Sequence, residues 1–285
     1  MKEDNINMTT TTITSNSSNT DSKQASSAFP DLLRSEWTKF RSVKSSLWSL
    51  IVANGITIVL SVVICQAIVS RWNQRPLAER LIFDPTARSL TGIFLAQLAI
   101  GVLGVLVITS EYSSGTIRAT FTARPQRNLV LAAKAIVFAV VTFITCLIAI
   151  LIAFAVGQAI FTQVGAGASI TSPGVLRSII GSTLYLTVGG LLALGLGTLV
   201  RHTAGGITCF VGMILVLPGI VNALPSPWSY DIGKFLPSEA GLVVTSVVRD
   251  GAGHLLGPWT GFLVFCAWAA VALVLAGWTL HRRDA

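Results

Sequence analysis

Four cysteines and three histidines are the side chains through which this chain would hold a metal or attack a substrate, and their spacing suits neither task. Cys65, Cys146, Cys209 and Cys266 all fall inside long apolar runs with no C-x-x-C pair. His202, His254 and His281 are scattered and form no H-E-x-x-H cluster, so neither a metal nor a protease site is expected. A G-x-S-x-G elbow is missing, as is any carboxylate pair with a local partner. The loop G-x-x-x-x-G-K-[ST], which cradles nucleotide phosphates with backbone N–H groups and a lysine, does not occur. The chain is therefore read as non-catalytic, with no metal and no cofactor of its own.

One segment is shaped for contact rather than for chemistry. Thr109-Ser-Glu111-Tyr112-Ser-Ser-Gly115-Thr116-Ile117-Arg118 separates two apolar runs. Gly115 permits a turn, and Thr116 to Phe121 suits a short helix ahead of Arg124-Pro125. Composition alone favours an ordinary basic loop beside a membrane.

The elements that hold this loop are written in the composition. Of 285 residues, 52% are hydrophobic and only 11% charged, whereas a soluble domain carries about a quarter charged residues. Lipid is the solvent for most of this chain. Six runs approach the roughly 20 apolar residues that a spanning helix needs: Leu47 to Val69, Leu90 to Ile108, Ala135 to Val156, Ser178 to Val200, Ala204 to Leu224 and Trp259 to Leu280. They are continuously apolar rather than alternating, which argues for helices and against a barrel. An all-α polytopic bundle of six transmembrane helices follows.

Trp48, Trp72, Trp228, Trp259 and Trp278 fall near the ends of these runs, where an amphipathic ring sits at the headgroups. Trp268 falls inside one and is assigned to packing. With the amino terminus inside, thirteen of the twenty basic residues flank the cytoplasmic side, which places both termini in the cytoplasm. The net charge of +8 is spread beside the spans, suiting anionic membrane lipid as a partner and no nucleic acid.

Residues 1–28 are rich in Thr, Ser and Asn with little to bury, and are read as a disordered tail rather than a signal peptide. Residues 29–46 form a helix whose Leu33, Trp37, Phe40, Val43 and Leu47 gather on one face, while Arg34, Lys39 and Arg41 point elsewhere. This is the pattern of an interfacial amphipathic elbow; the alternative is an extension of the first span into the cytoplasm. Residues 47–285 make the six-helix transmembrane domain. Within it, Gly189, Ala193 and Gly197 repeat at a spacing that brings helices close in lipid, and Pro218 should kink the fifth span, a candidate gate.

Glu36, Glu79, Asp84, Glu111, Asp231, Glu239 and Asp250 all lie outside the six runs. An ion-coupled carrier keeps an ionisable group at membrane depth, so that class is disfavoured, although backbone carbonyls remain an alternative for Na⁺. Energy for transport would then come from a partner.

At this point four stretches carry a resemblance: Arg34-Ser-Glu36-Trp37-Thr-Lys39-Phe40-Arg41-Ser, the loop from Thr109 to Arg118, Gly233-Lys234-Phe-Leu236-Pro237-Ser-Glu-Ala-Gly241, and the closing Arg282-Arg283-Asp284-Ala285. In their order against six spans, from about Leu32 to Ala285, the chain resembles the membrane permeases of ATP-binding-cassette (ABC) transporters of the second exporter type, of the bacterial, actinobacterial kind. The resemblance implies a half-transporter with an elbow helix, in a multi-pass plasma-membrane domain. It implies a coupling contact made by Glu111, Tyr112, Gly115, Thr116, Ile117 and Arg118, with Arg201 as a weaker candidate. It also implies short re-entrant helices within Pro225 to Gly257, where Lys234, Glu239 and Arg249 face either an exit or plain solvent. The partners implied are a nucleotide-binding ATPase subunit, which binds the ATP and Mg²⁺, and a second permease, identical or homologous. Outward transport of an unidentified cargo, lipophilic drug, peptide or lipid-like, is the expected function, with a link to drug or antibiotic resistance. A non-transporting scaffold of the same fold and a stand-alone ion-coupled carrier are the alternatives.

Overall fold

The computed structural model describes residues 17–42, 44–116, 126–226, 228–247 and 256–283. Among the described residues there is no strand, and six helices are long and apolar enough to cross a membrane. The bundle is all-α, as its composition requires.

The helix α1 (Ser17–Ser42) precedes α2 (Lys44–Ser70), the first span. α1 begins inside the stretch read as a disordered tail, so the helix is longer than the elbow expected from the sequence. Two single-turn helices follow, α3 (Leu77–Leu81) and α4 (Pro85–Ser89). The Asp84 carboxylate caps α4, accepting from the Thr86 and Ala87 amides at 2.9 and 3.0 Å. The second span is α5 (Ile93–Ser113) and the third is α6 (Arg127–Thr162). At 36 residues, α6 is about 54 Å long, well beyond a hydrocarbon core of about 30 Å.

The fourth span, α7 (Val175–Val200), is the most buried of the six and packs against α5, α6 and α12. Its small residues make this possible. A Cβ on Gly104 of α5 would lie 2.4 Å from the Gly190 carbonyl and 3.2 Å from Ala193, and one on Gly197 would meet Val105 and Ile108 at 3.0 to 3.1 Å. On the opposite side a Cβ on Gly195 would meet Ala272 at 3.0 Å, and one on Gly189 would make an ordinary 3.7 Å contact with Phe265. Of the three small residues singled out by spacing, Ala193 and Gly197 therefore meet α5, and Gly189 turns towards the last span.

The fifth span is broken into three parts: α8 (Thr203–Val211), a π-helical turn (Gly212–Val216) and α9 (Leu217–Asn222). Pro218 has no N–H and its ring opposes the carbonyl four residues back. The turn before it widens accordingly, the Leu217 amide donating five residues back to Gly212. Short helices α10 (Trp228–Gly233) and α11 (Pro237–Leu242) and the 3₁₀ turn Val243–Thr245 lead towards α12 (Pro258–Arg283), the last span. α11 packs on α12, where Gly261 leaves room for the Ala240 carbonyl, 2.5 Å from where a Cβ would stand. The Trp268 indole donates to the Phe235 carbonyl at 3.0 Å.

Gln158 and Tyr185, polar side chains within the spans, tie elements of the fold together. Gln158 donates to Ser89 and Pro85 and accepts from the Ala168 amide, tying α4 and the following loop to α6. Tyr185 donates to Gln97 between α7 and α5.

Candidate functional site

The terminus-bearing end of the bundle gathers the candidate contact loop, α1 and the cytoplasm-side charges of the sequence reading into one cluster. Two of its members were placed outside the spans from hydropathy and lie inside long helices instead. Glu111 occupies the last turn of α5, since that helix runs past Ile108 to Ser113, with the Thr109 and Ser113 hydroxyls turned back onto the Val105 and Ser110 carbonyls. Lys134 lies two turns into α6, with 6% of its side chain exposed.

The Lys134 ammonium joins three helices. It donates to Glu36 of α1 at 2.8 Å and to Glu111 of α5 at 2.7 Å. Lys39 adds a second cation, 2.7 Å from Glu36 and 3.8 Å from Glu111. Burial would push the Glu36 carboxyl up, but the adjacent Lys134 and Lys39 ammonium groups outweigh it and hold that carboxyl below its ordinary value of 4.5. Two cations and two carboxylates thus balance inside a cleft of about 440 Å³ lined also by Phe40 and Thr116.

α1 reaches this cluster through a face that differs from the one read in the sequence. Leu32 packs with Val130 and Ala133 of α6, Glu36 is 4% exposed, and Phe40 enters the main core. Leu33 packs partly, whereas Trp37 is half exposed and Arg41 is exposed. The buried stripe is Leu32, Glu36, Phe40, four residues apart each time, and a carboxylate sits in its middle because Lys134 stands opposite. That spacing was readable, but an acid on an apolar stripe gives no hint of a cation in the third span. Val43 lies outside the described residues.

Beyond Glu111 the loop turns away. Gly115 follows the end of α5 with φ of 72°, in the left-handed region where glycine is unstrained, and its amide donates to Tyr112 at 3.3 Å. The Thr116 hydroxyl is 2.9 Å from that of Ser114. Ile117 and Arg118 lie outside the described residues.

Tyr112 faces Arg201, whose guanidinium carbon is 5.4 Å from the ring centroid. Arg201 ends α7 with φ of 58°, a left-handed conformation unusual for a residue with a Cβ. Its guanidinium also reaches the Thr279 carbonyl at 3.5 Å, and Arg127, at the start of α6, donates to Leu280 at 2.7 Å. Both cations meet the carbonyl end of α12, where the helix dipole favours positive charge. The sequence reading had linked Arg201 to the loop only weakly; the structure sets it against Tyr112.

The opposite end is different in character. Lys234 pairs with Asp231 at 3.0 Å, and Glu239 is partly buried on α11, where burial pushes its carboxyl up. Arg249 lies outside the described residues. Among the described residues no group of three His, Cys, Asp or Glu side chains is placed to hold a metal. Pro218 stands at the junction of the π-helical turn and α9.

The described residues form a junction: the end of α5 and the start of α6, which bracket one loop, are bound by charge to α1 and by guanidinium groups to α12. None of the curated proteins matches this sequence. The model of the family described as ABC-2 family transporter protein matches residues 5–285, nearly the whole chain. On that match, and with six apolar spans around it, the chain belongs to the ABC-2 transporter family, as a membrane permease of an ABC transporter.

Proposed function

We propose that this permease works as an exporter subunit, paired with a second permease, identical or homologous, and driven by separate subunits that bind ATP and Mg²⁺. The loop after Glu111 docks on the ATPase, with Glu111, Tyr112, Gly115, Thr116, Ile117 and Arg118 as the coupling contact and Arg201 behind it. Both termini face the cytoplasm, and Leu33, Trp37, Phe40 and Arg41 belong to an elbow at the inner leaflet. The helices α10 and α11 form a re-entrant pair on the outer side, and the break at Pro218 serves as a gate in the fifth span. The cargo is lipophilic: a drug, a peptide or a lipid-like molecule.

The observation that carries this reading is the double pairing of Lys134 with Glu36 and Glu111. A push on the loop cannot move the end of α5 alone, since α6 and α1 are bound to it within hydrogen-bond distance. Motion is then shared by packed helices as a rigid body.

Affinity purification of the tagged permease in mild detergent, with mass spectrometry and an ATPase assay of the recovered material, tests it. Recovery of a nucleotide-binding subunit is expected. Glu111→Ala leaves Lys134 paired with Glu36, and Gly115→Trp meets no atom but strains a φ of 72° at a local cost of about 1–2 kcal/mol, so both variants should fold yet lose the link between ATP hydrolysis and transport. Full transport by both variants, or a solitary chain with no ATPase, would sink the assignment.

A further inference from the structure

Between the first turns of α6 and the last turns of α12 runs a groove of about 590 Å³. Small residues line it on both helices, Ala132 and Ala135 on α6 and Gly277 on α12, and the Asn128 amide oxygen lies 3.1 Å from where a Cβ on Gly277 would stand. Its outer walls are Ile136, Val274 and Trp278, all large, apolar and exposed. From Asn128 to Ile136, and from His281 back to Leu273, the groove runs about 12 Å along both helices.

Chemistry along the groove is graded. Its deep part is wholly apolar, and every polar lining residue, Asn128 and His281, lies at the terminus-bearing mouth. Arg282 stands at the same mouth with its guanidinium carbon 4.2 Å from the Trp278 ring, which fixes the cation at the level of an interfacial tryptophan. Among the described residues no acidic side chain lines the groove. The neighbouring cleft around Lys134 is the contrast, since there the carboxylates and ammonium groups balance one another. An apolar slot within two spans with an exposed cation at its mouth is complementary to one class of molecule, an acyl chain carrying an anionic headgroup.

The geometry points to a resident anionic phospholipid: one acyl chain lies between α6 and α12, and its phosphate sits at the mouth against Arg282, with Asn128 and His281 as further hydrogen-bond partners. The lipid belongs to the leaflet of the termini, which is the inner one on the orientation proposed above. It acts as a wedge that fills the seam between the third and sixth spans, and it is distinct from any cargo.

Native mass spectrometry of the full-length chain tests this, in micelles holding equal phosphatidylglycerol and phosphatidylcholine with the same acyl chains. Retention of phosphatidylglycerol enriched about fivefold is expected, the order of effect of one basic side chain at an anionic surface. Arg282→Gln should bring the two lipids to parity, and Ala132→Phe, which fills the floor, should abolish retention of both. Arg282 is exposed, so its variant keeps the test decisive even where Ala132→Phe fails to fold. Equal retention of the two lipids by the unaltered chain would overturn the proposal, as would unchanged enrichment in Arg282→Gln. Disulfide cross-linking of Val274→Cys between two copies in the membrane would also overturn it, by showing that a second permease covers the groove.

Discussion

Lys134 and Glu36 are 98 residues apart in the chain and 2.8 Å apart in the fold, and the same ammonium closes on Glu111 at 2.7 Å. Removing one member of a buried ion pair leaves its partner uncompensated, at a cost of about 3–5 kcal/mol. Lys134→Met should therefore lower the thermal unfolding midpoint sharply in detergent. Lys39→Met should change it little, because the Lys39 side chain is largely exposed and such pairs contribute about 0–1 kcal/mol. Equal losses in the two variants would show that burial does not set the strength of this cluster.

The two perturbed carboxyls predict opposite responses to pH. Glu36 is held below its ordinary 4.5, so its contribution is present at neutral pH and is lost as pH falls below that value through the folded-state pKa. Glu239 is pushed up, so its stabilising share exists below 4.5 and is lost as pH rises through its raised pKa. Unfolding midpoints measured across pH should show Glu36→Gln removing part of the acid-side fall. Glu239→Gln should raise stability at neutral pH. A Glu239→Gln curve that coincides with the unaltered one would contradict the second statement.

Glycine tolerance should split by location. Gly104→Ala sets a Cβ against the Gly190 carbonyl of α7, and overpacking of this kind costs about 1–3 kcal/mol. Gly55 has no atom within 4 Å of a new Cβ, so Gly55→Ala should gain up to about 1 kcal/mol from helix propensity. Expression level and unfolding midpoint measure both.

Pro218→Ala supplies the missing amide in the fifth span. Hydrogen–deuterium exchange should then show greater protection across Gly212–Leu217 as the π-helical turn reverts to regular helix. Unchanged exchange there would place the origin of the widened turn elsewhere than in Pro218.

The spans were legible because hydropathy is summed over many residues and tolerates errors at any one. Their ends were not. The sixteen polar and apolar residues from Glu111 to Gln126 offer no sign that Glu111 is still helical, and Lys134 reads as a flanking charge until Glu36 is seen beside it. Glu36 itself lay within a motif chosen for Trp37 and Phe40, yet Trp37 turns outward and the carboxylate turns in. Small residues in α7 were legible as close-packing signals, but one repeat cannot say which neighbour each residue meets. Pro218 marked the break in the fifth span directly, since a missing N–H acts locally and needs no distant partner.

The guanidinium groups of Arg127 and Arg201 reach the Leu280 and Thr279 carbonyls of the sixth span, which the ribosome makes after both donors. Five spans are therefore made and inserted before the acceptors that close this end of the bundle exist. Biogenesis is ordered by that fact: the junction beside the contact loop is completed only when the sixth helix arrives. A chain halted before Thr279 would carry every residue of the loop and still lack the clasp that sets it.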